Sequence, residues 1–271
     1  MLTVGSSAEP LLSGASSTPV IMARHVRKRF GSLEVLKDVS LEAHNHEVVS
    51  LLGSSGSGKS TFLRCLNFLE IPASGSIAID GEEIELRTRS DGSTALANRR
   101  QVRHIRSLLG MVFQSFNLWS HMTVLDNVMT VPVHVLGKSR ADAKSSAEYY
   151  LHKVGLFEKR NSYPAFLSGG EQQRTAIARA LAVEPKAILF DEPTSALDPE
   201  LVGEVLKVIN DLAAEGRTMI VVTHEMAFAR DISSKVVFLH AGIVEEQGTP
   251  SEIFDNARST RLRSFLSRMH R

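Results

Sequence analysis

The apolar run Val48-Val49-Ser50-Leu51-Leu52 leads into Gly53-Ser54-Ser55-Gly56-Ser57-Gly58-Lys59, then Ser60 and Thr61, with a helical stretch beginning near Ser60. Few short stretches constrain a fold so far. A strand buried on both faces must end in a loop whose glycines turn backbone N–H groups inward on one anion. The helix behind it adds the positive end of its dipole. In that cradle Lys59 is expected to pair with β- and γ-phosphates and the Ser60 hydroxyl to take one position on Mg²⁺, so the chain is expected to bind a nucleotide.

The 271 residues suffice for one large α/β domain, or for a core with a smaller lobe attached. A formal net charge of +1 argues against an extended nucleic-acid surface, which needs a marked basic excess. The single cysteine, Cys65, sits among Phe62, Leu63, Leu66 and Phe68 and reads as a small buried hydrophobe. No disulfide framework can form, and a cytosolic compartment fits. No apolar run approaches the ~20 residues of a membrane helix, and the first residues lack a signal core, so the chain is expected to be soluble by itself. Residues 1–19, rich in Ser, Gly and Pro, read as a mobile extension.

Val20–Val26 and Val35–Leu41 have strand character with Gly31 turning between them, which predicts an antiparallel β start. Gly75–Gly81 reads as a further short strand. The polar stretch from Leu86 to about Ala97 is expected to be a solvated loop before a helix over Arg99–Ile105. A buried strand at Leu109–Phe113 ends at Gln114. Helical patterns then dominate from Thr123 to about Leu181, with Thr123 and Ser139 as N-caps. Ala187–Phe190 and Thr218–Thr223 are buried strands, separated by a helix that opens at Asp198-Pro199. Such alternation implies a mostly parallel sheet with nucleotide at the carboxyl ends of its strands.

A phosphate loop needs an acidic partner for the metal, and Asp191, ending the strand Ala187–Phe190, has the right position to hold Mg²⁺. Glu192, beside it before Pro193, could orient or deprotonate an attacking water. Leu167-Ser168-Gly169-Gly170-Glu171-Gln172-Gln173-Arg174 precedes another helix, and its serine and glycines make a second anion site at a helix N-terminus.

From about Val20 onward these residues resemble the nucleotide-binding subunits of ATP-binding-cassette transporters, with six motifs in that family's order. Gly53–Ser60 resembles the Walker A loop, Gln114 the Q-loop glutamine, and Leu167–Glu171 the signature. Ile188–Glu192 resembles Walker B with its catalytic glutamate, Ser195-Ala196-Leu197-Asp198 the D-loop, and His224 the switch histidine. The resemblance implies an α/β fold: a P-loop NTPase (RecA-like) core with an antiparallel β subdomain and an inserted helical subdomain at about 115–180. The ATP-binding domain would span residues 20–265. ATP and Mg²⁺ are the implied cofactors, with Glu192, His224 and Lys59 as catalytic groups. Nucleotide contacts would come from Phe30, Gly53, Ser54, Ser55, Gly56, Ser57, Gly58, Lys59, Ser60, Thr61, Gln114, Ser168, Gly169 and Gly170. Metal contacts would come from Ser60, Gln114 and Asp191.

The resemblance further implies a head-to-tail homodimer in which the signature of one protomer closes over the ATP of the other, so that hydrolysis opens the dimer. Two departures stand out. Glu171 replaces the commoner glutamine of the signature, and Phe30 stands where a tyrosine usually stacks on adenine, keeping the π-face without the hydroxyl. Phe30 could instead be a core residue.

Within the family, Thr61–Glu70, Phe116–Val124 and Asp198–Val205 resemble the ATPase of histidine and lysine/arginine/ornithine importers, as does the polar insertion at Arg87–Asn98. That implies two integral-membrane permease subunits, a periplasmic amino-acid-binding protein, a place on the cytoplasmic face of the inner membrane, and no nucleic acid. Opines or glutamine-type substrates are the alternative cargo, and a soluble non-transport cassette ATPase is the alternative of another class. Trp119, Met122 and Leu125 fit either a groove for a membrane subunit's coupling helix or the core of the helical lobe.

Overall fold

The computed structural model describes residues 18–90 and 94–269; the expected N-terminal extension lies, as far as residue 17, outside the described residues. The chain begins β1 (Ile21–Phe30), β2 (Leu33–Ala43), β3 (Val48–Leu52), α1 (Lys59–Leu66), β4 (Ser74–Ile79) and β5 (Glu82–Glu83). It continues β6 (Leu86–Thr88), β7 (Thr94–Leu96), α2 (Arg99–Leu108), β8 (Leu109–Val112), α3 (Val124–His134), α4 (Arg140–Lys153) and α5 (Gly169–Leu181). It ends β9 (Ala187–Asp191), α6 (Pro199–Ala214), β10 (Met219–Val222), α7 (Met226–Ile232), β11 (Lys235–His240), β12 (Ile243–Gly248), α8 (Pro250–Phe254) and α9 (Thr260–Met269).

One large sheet runs β5-β4-β1-β2-β12-β11-β3-β10-β9-β8. Its antiparallel half begins with β1 and β2 about the Gly31 turn, where φ is +58°, a value glycine adopts freely. In the other half β11, β3, β10, β9 and β8 are parallel, and β12 joins the halves through a single pairing, Ile243 with Asp38.

The parallel strands are buried on both faces, and the period of two decides which core each residue joins. Val49, Leu51, Leu189, Ile220 and Val222 point toward Phe62, Leu63 and Cys65 of α1. Val48, Ile188, Phe190, Met219 and Val221 point toward α3–α6. Cys65 is fully buried, and burial pushes its thiol pKa up to about 12, as expected of a packing residue. The helical lobe thus shares a core with the sheet instead of forming its own.

Thr123 and Ser139 cap α3 and α4, accepting from the amides of Asp126 and Asp142 (both 3.1 Å). Asp198 precedes α6 as expected, with Pro199 at its first turn, but its side chain accepts no cap bond. The loop expected at Leu86–Ala97 is instead a hairpin, β6 with β7, pairing Leu86 with Leu96 and Arg87 with Ala95. Its few apolar residues supply the reason: Ala95 is buried and Leu86 and Leu96 pack against the main core, so a polar stretch acquires an inner face.

Trp119, Met122 and Leu125 do not share one groove. Trp119 lines a cavity of about 450 Å³ between α2, β8 and α5. Met122 lines a separate one, and Leu125 packs on the lobe core. What orders their segment is Asn127, fully buried, whose Oδ1 accepts from the Trp119 amide (2.8 Å). Its Nδ2 donates to the carbonyls of Trp119 (3.1 Å), Met122 (3.2 Å) and Thr123 (3.0 Å). Asn127→Ala should therefore strand several polar groups and lower stability by about 2–3 kcal/mol, read as a shift in the denaturant midpoint at constant slope.

Candidate active site

The parallel register puts the chemistry on one edge. Leu51 lies beside Val222, Val222 beside Asp191, and Phe190 beside Val112. Gly53, Asp191 with Glu192, His224 and Gln114 therefore leave the sheet at the carboxyl ends of four adjacent strands, where open α/β sheets bind ligands.

Gly53 has φ +153°, and a Cβ there would lie 2.3 Å from the Leu239 carbonyl oxygen. No side chain fits, so the loop starts hard against β11. Gly58, at φ +105°, is similarly confined by Leu36 and Val35 and opens α1. Ser54, Ser55 and Gly56 face solvent, Ser60 and Thr61 are half-buried in the first turn of α1, and the Ser57 hydroxyl is buried without a partner.

Lys59 is 4% exposed; its Nζ donates to the carbonyls of Gly53 (2.8 Å) and Ser54 (3.1 Å) and lies 3.9 Å from Glu192 Oε1. Burial lowers its pKa, opposed by the fields of Glu192 and Asp191. The ammonium thus sits among acceptors weaker than a phosphate oxygen.

Asp191, the last residue of β9, is 2% exposed. Its Oδ2 accepts from Arg64 of α1 (3.2 Å), a partner the sequence did not reveal, and its Oδ1 has none. A buried carboxylate oxygen without a donor suits a hard divalent cation that takes oxygen ligands, so Asp191, together with the Ser60 hydroxyl in the first turn of α1, has the chemistry to fit Mg²⁺.

Glu192 has φ +49°, a left-handed conformation unusual for a side chain of its size. Its amide donates to the Val222 carbonyl (3.0 Å), tying the bend to β10. Its Oε2 accepts from Ser195 Oγ (3.1 Å), and Oε1 lies 3.1 Å from His224 Nε2, which carries the proton if the carboxylate accepts. The His224 bond holds the Glu192 pKa below its ordinary value of 4.5, against desolvation, with help from Ser195 and Lys59.

Gln114 is exposed just past β8. Phe116 and Asn117 follow in left-handed conformations (φ 51° and 53°), and their carbonyls accept from Arg179 at 2.9 and 2.6 Å. Arg179 belongs to α5, stands 5.2 Å over the Trp119 ring, and has its pKa lowered to about 10 by burial. From the same helix the buried Gln173 donates to the Phe113 carbonyl (3.2 Å). Neither residue was anticipated; the available signal was a basic residue inside the apolar run Ile177-Ala178-Arg179-Ala180-Leu181.

Phe30 is 45% exposed, which removes its core alternative, and the Lys28 ammonium lies 4.7 Å from its ring centroid. Ser168 starts α5 with a full capping box, receiving the Glu171 amide (3.2 Å) while Glu171 accepts from the Ser168 amide (2.9 Å). Around Gly169 and Gly170 the neighbours are Leu197, Phe116 and Leu201, not the phosphate loop. α5 packs on edge strand β8, three strand spacings (about 14 Å) from β3. One protomer therefore presents the phosphate loop and the start of α5 as two separate helix N-termini.

Residues 36–195 match the family model described as ABC transporter, and the chain belongs to that family. It is 62% identical over 242 residues to the arginine/ornithine transport ATP-binding protein AotP of Pseudomonas aeruginosa, covering 89% of this chain and 95% of that one. It is 58% identical to the histidine/lysine/arginine/ornithine transport ATP-binding protein HisP of Escherichia coli (89% and 94% covered). It is 59% identical to the nopaline permease ATP-binding protein P of Agrobacterium fabrum (93% and 98%). Among solved structures, the dimeric cassette MJ0796 in a post-hydrolysis state bound to ADP and Pi superposes with a TM-score of 0.71 at 33% identity, covering 85% of this chain and 98% of that one. The close relatives are ATP-binding subunits of polar amino acid and opine transporters, and such subunits hydrolyse ATP to drive transport. Among the described residues no helix is long and apolar enough to cross a membrane.

Because Glu192 titrates low in the folded state, its contribution to stability is present above the unfolded value and is lost as pH falls through the depressed one. NMR titration of the Glu192 carboxyl should give a midpoint below 4.5, and His224→Ala should move it upward. An unmoved midpoint would show that the histidine does not hold the charge.

Proposed function

We propose that this chain is the ATP-hydrolysing subunit of an importer for cationic amino acids such as arginine, ornithine, lysine or histidine. It works as a head-to-tail homodimer on the cytoplasmic face of the inner membrane, beneath two permease subunits that receive cargo from a periplasmic binding protein. The observation that carries the proposal is the 58–62% identity, over most of the chain, to ATP-binding subunits of transporters for arginine, ornithine, histidine and lysine. Opines are the second cargo, favoured by the 59% identity to the nopaline and octopine proteins.

The residues act as follows. Phe30 offers its ring to adenine, and Gly53–Thr61 wrap the phosphates with backbone N–H groups. A triphosphate draws the Lys59 ammonium from the Gly53 and Ser54 carbonyls toward its β- and γ-oxygens, which accept more strongly. Asp191 and Ser60, with Gln114, would hold Mg²⁺, which offsets negative charge on the phosphates when bound. Glu192 remains ionised and orients the attacking water as base, since Ser195 and His224 occupy only two of its roughly four acceptor positions. Ser168, Gly169 and Gly170 of one protomer meet the γ-phosphate held by the other, so that each site is closed by two helix N-termini. Loss of that phosphate releases the contact. Gln173 and Arg179 fasten the Gln114 segment to α5, so movement at Gln114 is passed to the helical lobe.

In Glu192→Gln the shape remains while the charge that orients water is gone, so ATP binding should persist, hydrolysis should fall at least about a hundredfold, and an ATP-dependent dimer should accumulate. Near wild-type turnover would remove Glu192 from the mechanism. Reconstitution with the cognate permeases tests the cargo: ATPase activity and uptake should rise only when a binding protein loaded with a cationic amino acid docks on the far face. Stimulation by octopine or nopaline alone favours the second cargo, and stimulation by a sugar or metal ion alone excludes both.

A further inference from the structure

Phe166 is the most exposed large hydrophobic side chain among the described residues, at 76%. Single exposed apolar residues are ordinary, so its mounting matters more than its exposure. It closes a one-turn 3₁₀ segment, Pro164–Phe166, in which the Phe166 amide donates to Tyr163 (3.0 Å) and the Leu167 amide to Pro164 (3.1 Å). Pro164 and Leu167 are buried, so the backbone is anchored on both sides while the ring stands in solvent. Two residues on, Ser168 starts α5. The inner side of that helix start is filled, since a Cβ on Gly169 would meet Leu197 at 3.1 Å and Phe116 at 3.7 Å. The ring itself stands in solvent, two residues before that helix start.

Phe30 presents the complementary situation. Lys28 sits over its ring, itself fixed by Glu70 and the Ile71 carbonyl (both 2.8 Å). A base stacked on the remaining face of Phe30 has its own second face in water as long as the protomer is alone.

We propose that Phe166 reaches across the dimer and packs against the base and ribose of the nucleotide seated on the partner's Phe30, so that each ATP is closed between one aromatic side chain from each protomer. The inference rests on the head-to-tail dimer proposed above. Phe166 and Ser168 are separated by at most about 7 Å of backbone. With Ser168 on the γ-phosphate, that spacing leaves the ring within reach of the sugar and base. Every base has a π-face, so this contact adds dimer stability without selecting the base.

The test uses the full chain in a Glu192→Gln background at saturating Mg²⁺ and ATP, with the dimer dissociation constant measured by sedimentation. One base stack is worth about tenfold and the symmetric dimer has two, so Phe166→Ala should weaken the dimer about a hundredfold. Phe166→Trp should stay within about threefold of the parent, and the ATP affinity of the dilute monomer should not change in either variant. In a Phe30→Ala background the base has lost its seat, and adding Phe166→Ala should weaken the dimer by less than about tenfold. Equal losses in both backgrounds, failure of Trp to substitute, or altered monomer affinity overturns the assignment. If the Glu192→Gln parent does not dimerise with ATP, the dimer and this inference fall together. If it does and Phe166→Ala dimerises equally well, only the role of Phe166 falls.

Discussion

Lys59 carries a positive charge into a place where it is 4% exposed, and there its hydrogen bonds go to two backbone carbonyls of its own loop. Burial lowers the pKa of an ammonium so placed, and the charges of Glu192 and Asp191 counter that desolvation only in part. That balance depends on strand registry. β3 delivers the loop, β10 the histidine and β9 the two carboxylates, each one strand spacing from the next. Gly53 fixes the loop against β11 because nothing larger than hydrogen fits beside the Leu239 carbonyl. The site is a buried cation awaiting a stronger anion, held there by the sheet.

Residues whose role is decided within a few positions of themselves were legible in the sequence. The glycines and lysine of the phosphate loop, the caps at Thr123 and Ser139, and the turn at Gly31 all depend on local geometry. Contacts spanning long stretches of chain were not legible. Arg64 reaches Asp191 across 127 positions, and Arg179 reaches the Phe116 carbonyl across 63. Composition also misled at Leu86–Ala97, where three apolar residues suffice to fold a polar stretch into a hairpin. The left-handed bend at Glu192 had only Pro193 as a hint; it arises because the amide must turn back to Val222.

Two helix N-termini in one protomer, three strands apart, suit the proposed dimer, in which each site is completed by a second copy of the chain. Both are helix N-termini, α1 opening from a glycine in left-handed conformation and α5 from a serine in a capping box. The second is mechanically tied to the first site's edge: α5 holds the chain on both sides of Gln114, at Phe113 through Gln173 and at Phe116 through Arg179, where it leaves the sheet beside β9. A displacement at Gln114 thus has a hydrogen-bonded route into the helical lobe, where Asn127 ties down the adjoining loop.

The central claim is that the Lys59 ammonium and the free oxygen of Asp191 are poised for a metal–triphosphate and change partners when it binds. A crystal structure of the Glu192→Gln chain with Mg²⁺ and ATP measures this directly. The account predicts Lys59 Nζ on β- and γ-phosphate oxygens, released from Gly53 and Ser54, with Asp191 Oδ1 directed at the metal. A bound nucleotide that leaves Lys59 on the two carbonyls and Asp191 Oδ1 without a partner would contradict it.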